Sequence, residues 1–115
     1  MRENDLLKRT FDFGVNVLLY LRLLPETSEL KVIKYQLIKA STSIGANYEE
    51  AQAGSSKADF IHKVNIALKE ARESNYWLRM LAALEGEKDE LLLLIRESNE
   101  LKNILGAIVK NAREN

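Results

Sequence analysis

The sequence predicts an all-α chain folded as an antiparallel up-down four-helix bundle. Three observations predict it. Apolar residues recur at steps of three and four along four long segments, the period of a helix with one buried face. One proline and five glycines stand in 115 residues, and long helices tolerate few of either, because proline removes a backbone donor and glycine costs entropy. The breaks between segments are short, so sequence neighbours run antiparallel. A chain of this length fits a single domain, residues 1–115. The alternative is a pair of helical hairpins that complete their bundle by swapping between chains.

The first segment spans Asp5 to Leu24 and stops before Pro25, since the residue before a proline is pushed out of helical geometry. Leu7, Val17, Leu21 and Leu24 form its apolar face, broadened by Phe11, Phe13 and Leu18, and Gly14 either weakens it or permits a close crossing. The second segment starts at Ser28 as N-cap, with Glu29 at the positive helix end. Leu30, Ile33, Leu37, Ala40, Ile44, Tyr48 and Ala51 make its seam, and Gly54 is expected to close it as a left-handed cap. In the third, Ser56-Lys57-Ala58-Asp59 resembles a capping box. Phe60, Val64, Ala67, Ala71, Leu78 and Leu81 follow at helical spacing, and Gly86 is the stop. The fourth opens with Glu87, Asp89 and Glu90 and closes with Lys110 and Arg113, both ends matching the helix dipole. Its buried stripe is Leu91, Leu94, Ile95, Leu101, Leu105, Ile108 and Ala112. Helices of roughly 20 to 28 residues give a bundle about 30–40 Å long.

Two stretches are more apolar than one core requires. Val17 to Leu24 carries a single charge, Arg22, and Leu91-Leu92-Leu93-Leu94-Ile95 carries none. Five consecutive residues at 100° intervals cover most of a helix circumference. The surplus predicts an interface between copies through the first and fourth helices. A wide core with a few surface leucines is the simpler reading.

Composition excludes much chemistry. There are no cysteines, so disulfides, thiolate metal sites and cysteine nucleophiles are out, and a reducing cytoplasm is compatible. The N-terminal Met1-Arg2-Glu3-Asn4-Asp5 does not read as a signal peptide, and the longest apolar run is about half the ~20 residues of a membrane span. The expectation is a cytoplasmic protein with no membrane contact. A di-iron bundle needs two Glu-x-x-His pairs, yet His62 is the only histidine. Glu49 and Glu50 are adjacent and diverge, while Glu70 and Glu73 share a face beside Lys69 and Arg72. The glycines at 14, 45, 54, 86 and 106 form no phosphate-binding motif. No catalytic residue, metal site or cofactor is expected.

Two constellations remain. Ser43, Asn47 and Glu50 fall on one face of the second helix, amid small residues that allow a close helix approach. They predict a buried polar network with the third helix, for instance through Glu50 to Arg72, or else a partner site. On the third helix Asn65, Lys69, Arg72, Tyr76 and Arg79 share a face. Three cations with a tyrosine suit RNA, because cations meet phosphates and the ring stacks a base. A solvated, ion-paired face is the competing reading, and seventeen basic against seventeen acidic residues argue for modest affinity. Trp77 reads as a core or interface anchor.

The run Ser43-Ile44-Gly45-Ala46-Asn47-Tyr48-Glu49-Glu50-Ala51, with Asp59-Phe60 and the later Ile66-Ala67-Leu68-Lys69-Glu70-Ala71-Arg72-Glu73-Ser74-Asn75-Tyr76-Trp77-Leu78, resembles the bacterial family of 23S ribosomal RNA intervening-sequence proteins. Some relatives carry Gly-Ser in place of Ala71-Arg72. The resemblance implies a four-helix bundle and a homopentameric barrel. A similar protein serves as accessory factor to the reverse transcriptase of diversity-generating retroelements, with a role in binding nucleic acid and the enzyme. The resulting expectation is a non-enzymatic oligomer that binds RNA or a nucleic-acid-handling protein. Lys69, Arg72, Tyr76 and Arg79 are the candidate residues, joined by Lys31, Lys34 and Lys39. A protein-only scaffold is the alternative.

Overall fold

A computed structural model describes residues 3–114, with side chains from Asp5 onward; Met1, Arg2 and Asn115, and with them part of the signal-peptide reading, lie outside the described residues. The chain forms α1 (Glu3–Leu21), α2 (Ser28–Gln52), α3 (Lys57–Glu85) and α4 (Asp89–Glu114), and no strand occurs among the described residues. Each helix packs against the next, α1 returns to α4, and the diagonal pairs stay apart. That is the up-down bundle. It measures 46 × 22 × 20 Å, longer than expected because α3 alone has 29 residues.

The ends correct several expectations. α1 stops at Leu21, three residues before the expected Leu24. Ahead of Pro25 the chain tightens: the Leu23 amide donates to the Tyr20 carbonyl at 3.0 Å and Leu24 to Leu21 at 3.2 Å. The Leu24 carbonyl accepts from the Lys34 ammonium at 2.8 Å, and Glu26 accepts from it at 3.1 Å. Lys34 is therefore a buried clamp on the α1–α2 turn and is withdrawn from any nucleic-acid surface. The cap of α2 is Thr27, not Ser28; its hydroxyl accepts the Leu30 amide at 3.3 Å. Gly54 is not left-handed, since Gly86 alone has positive φ among the described residues. Its glycine is required by proximity instead: a Cβ there would stand 3.1 Å from the Ala51 carbonyl oxygen and 3.4 Å from the Phe60 nitrogen.

α3 begins as its sequence predicts, with the Ser56 hydroxyl accepting the Asp59 amide at 3.1 Å. The Asp59 carboxylate takes the Ser55 hydroxyl at 2.8 Å. Gly86, at φ 99°, ends α3 and donates to the Ala82 carbonyl. Glu87 precedes α4.

The α2 seam is buried in full, from Leu30 to Ala51. On α1 the inward face is Leu6, Thr10, Phe13, Val17, Tyr20 and Leu21, with Leu24 buried in the turn after it; Leu7 and Leu18 are half-buried and Phe11 is exposed. Val17, Leu21, Leu24 and Phe13 of the expected face are thus in the core, and Leu6, Thr10 and Tyr20 join them, because α1 is apolar on its outer side as well and periodicity alone left its N-terminal half open. On α4, Ser98 and Val109 are in the core, whereas Ile95, Ile108 and Ala112 are half-buried.

The small residues of α2 serve a crossing with α1. A Cβ on Gly45 would lie 3.2 Å from the Thr10 carbonyl carbon, and one on Gly14 would lie 3.4 Å from the Ser41 carbonyl oxygen. Glycine on each helix lets the two backbones meet. Thr10, buried at the contact, satisfies its hydroxyl on the Leu6 carbonyl at 2.9 Å.

Candidate nucleic-acid interface

α3 buries Val64, Ala67, Leu68, Ala71, Ser74, Leu78 and Leu81. The helical period then turns Lys69, Arg72, Tyr76 and Arg79 outward, and all four are exposed. Asn65 is half-buried at the edge. Among the described residues no carboxylate comes within ion-pair range of the three cations; the ion pairs use Lys8, Arg9 and Lys34 instead. Zero total charge thus coexists with a locally unpaired basic face.

Tyr76 and Arg79 are preorganised. The Arg79 guanidinium stands 5.9 Å from the Tyr76 ring centroid. Its Nε donates to the Asn75 side-chain oxygen at 2.8 Å, and the Asn75 amide donates to the Ser98 hydroxyl at 3.0 Å. Arg79 is therefore held through Asn75 from α4. The other neighbour of Tyr76 is Trp77, edge-on at 5.0 Å and 80°. Trp77 is half-buried against the core, which fits an anchor, and its indole N–H reaches Glu73 at 3.5 Å.

The face continues where sequence spacing could not show it. Between α3 and the last turns of α4 lies a cleft of about 480 Å³, lined by Asn65, Arg72, Gly106, Lys110, Arg113 and Glu114 among others. Lys110 and Arg113 were read only as complements of the helix dipole. Antiparallel packing of α4 on α3 brings them into one cleft with Arg72, 38 and 41 residues away in the chain.

Other expected sites resolve differently. Ser43 donates to the Lys39 carbonyl at 2.6 Å and Asn47 to the Ser43 carbonyl at 2.9 Å, both along α2 itself. Glu50 is exposed. The three residues share a face, but the bonds of Ser43 and Asn47 run back along α2 and not across to α3, because small polar side chains reach their own helix's carbonyls first. Lys31 and Lys39 are exposed, and Lys39 lies 5.2 Å from the Tyr35 ring. His62 and Glu49 are exposed, and no group of three metal-ligating side chains occurs among the described residues.

Glu70 and Glu73 do interact. Burial first, then the hydrogen bond and charge of Glu73, push the Glu70 carboxyl above its ordinary value, with Lys69 and Lys39 pulling back. A raised folded-state value means that ionising Glu70 disfavours the fold, a cost present at neutral pH and absent once the group is protonated in both states. Glu70→Gln is expected to raise the melting temperature at pH 7. The gain should vanish below the ordinary glutamate value of 4.5; a gain constant across that range contradicts the assignment.

A second surface is apolar. Phe11, Val15 and Leu19 step by four along the outside of α1 and Leu23 continues the step in the turn after it, with Phe11 68% and Leu23 70% exposed. Leu93 of α4 joins them, whereas the rest of Leu91–Ile95 is buried or half-buried. Leu19, Leu23 and Leu93 line one groove, and Phe11 and Val15 line another beside α2; exposed apolar surface of this kind marks interfaces. Tyr20 lies beneath, with its hydroxyl buried and without a hydrogen-bond partner among the described residues. Burial, then Glu90 and Glu85, push that hydroxyl's pKa up.

A family model described as 23S rRNA-intervening sequence protein matches residues 2–107. The chain belongs to that family. This family member is also similar to a solved structure, a protein of unknown function from the S23 ribosomal protein family of Bacteroides thetaiotaomicron VPI-5482, at 35% identity and a TM-score of 0.82. The match covers 90% of this chain and 97% of that one. No curated protein matches. The family and the neighbour indicate no catalytic class, and no helix among the described residues is long and apolar enough to cross a membrane.

Proposed function

We propose that this family member is a non-enzymatic, cytoplasmic, oligomeric bundle that binds single-stranded RNA, or the RNA of a nucleic-acid-handling complex, through the outer face of α3. The observation that carries the reading is the set Lys69, Arg72, Tyr76 and Arg79: exposed, without ion-pair partners among the described residues, and with Arg79 positioned over Tyr76. Solvated cations release counterions on meeting phosphates, and an exposed ring offers a base a stacking surface. The apolar ridge of α1 supports association between copies. It lies away from the α3 face, so assembly leaves that face open and multiplies it. The family resemblance suggests five copies in a closed ring.

Fluorescence anisotropy with a labelled RNA strand tests the reading. Lys69→Glu with Arg72→Glu is expected to weaken binding by about a hundredfold while the circular dichroism spectrum stays helical, since each reversal replaces attraction with repulsion. Unchanged affinity in a folded variant refutes it and favours a scaffold that meets only proteins.

A further inference from the structure

The cleft between α3 and the end of α4 carries an inference that rests on, and sharpens, the reading above. Its lining brings together three cations, Arg72, Lys110 and Arg113. None has an ion-pair partner among the described residues, although Glu114 lies at the cleft's edge. Gly106 lines it too, in the interior of α4, where glycine costs helix stability relative to alanine. Packing does not require that glycine. A Cβ built there meets only the Leu68 Cδ1 at 4.0 Å, in contrast to the backbone contacts that Gly45 relieves. Gly106 presents bare backbone to the cleft.

We infer that this cleft holds the phosphodiester backbone of a single-stranded nucleic acid, and that the strand then runs along α3 to place a base on Tyr76. Arg72 lines the cleft, and Tyr76 follows it by four residues, about 6 Å along the helix axis. That step is within the span of one nucleotide, so a phosphate held at Arg72 leaves its neighbouring base within reach of the ring. Bases in a duplex are already stacked on each other and cannot use Tyr76. The geometry therefore selects single strands. Glu114 repels phosphate at its end of the cleft and sets a boundary to the strand's path there.

The test compares a twelve-nucleotide uridine strand with an RNA duplex of the same length, by anisotropy at low salt with the full chain. The single strand is expected to bind at least about tenfold tighter. Lys110→Gln with Arg113→Gln should weaken single-strand binding by about tenfold or more and flatten its salt dependence by between one and two in log–log slope, the share of two phosphates. Tyr76→Leu should erase the preference for the single strand and leave the slope intact. Gly106→Ala should raise the melting temperature, and Gly106→Met should weaken binding without lowering it, which separates a filled cleft from a damaged fold. Equal or tighter duplex binding overturns the inference. So does unchanged affinity in both the Lys110/Arg113 and the Gly106→Met variants; if Lys69→Glu with Arg72→Glu still abolishes binding, the α3 reading survives alone. No binding of either nucleic acid by the unaltered chain overturns both.

Discussion

Replacing Tyr48 with alanine is expected to remove about 3–5 kcal/mol of folding stability. Tyr48 is the largest fully buried side chain, on α2 between Ile44 and Ala51 of the seam. Truncation takes an aromatic ring out of a close-packed interior, and flanking helices pinned by the Gly14–Gly45 crossing cannot collapse into the void. A domain of this size is stable by about 5–15 kcal/mol, so the loss is a large share of the total. At roughly 4 °C per kcal/mol the melting temperature falls by more than about 10 °C. Phe11→Ala, at a ring 68% exposed, serves as the contrast: it removes little packing within the bundle. Denaturant unfolding of the two variants checks this, and a Tyr48→Ala loss below about 1 kcal/mol contradicts the assigned core.

Phe11→Asp with Leu23→Asp is expected to dissolve an oligomer into folded monomers. The two side chains sit near opposite ends of the exposed ridge on α1. A charge there must be desolvated if copies are to associate, whereas in the monomer it stays in water. Desolvating such a group in an apolar contact costs about 2 kcal/mol or more, so the pair shifts dissociation by about a thousandfold. Sedimentation at micromolar concentration distinguishes the outcomes. An unaltered chain that sediments as a monomer, or a double variant that keeps the oligomer's size, removes the interface from α1.

The helices and most of the core were legible because they depend on local periodicity. The α2 seam is buried residue for residue, and Ser56 and Gly86 mark the ends of α3 as their chemistry dictates. On α1 the buried Phe13, Val17, Leu21 and Leu24 were legible, but Leu7 and Phe11 were not separable from Leu6 and Thr10, because the helix is apolar on two sides and periodicity cannot say which faces inward when both qualify. Lys34 looked like a surface cation because its partners, the Leu24 carbonyl and Glu26, come from a turn whose path depends on packing. The α3 face was visible as a three-four spacing. Its extension onto Lys110 and Arg113 was not, since it depends on the register of α4 against α3. No signal within either helix records that register, although antiparallel pairing about Gly86 narrows it. The polar set Ser43, Asn47 and Glu50 shares a face as its spacing requires, but spacing carries no information on whether a short side chain bonds across a gap or back to its own helix.

The most direct test of the central claim, that an unpaired basic and aromatic face on this bundle meets nucleic acid, is a salt titration of RNA binding by the unaltered chain. Five exposed cations, Lys69, Arg72, Arg79, Lys110 and Arg113, line the proposed path of the strand. At about 0.7 counterions per single-strand phosphate contact, the logarithm of the affinity should fall linearly with the logarithm of salt concentration at a slope of about −3 to −4. A slope near zero, or no binding at about 50 mM salt, contradicts the claim.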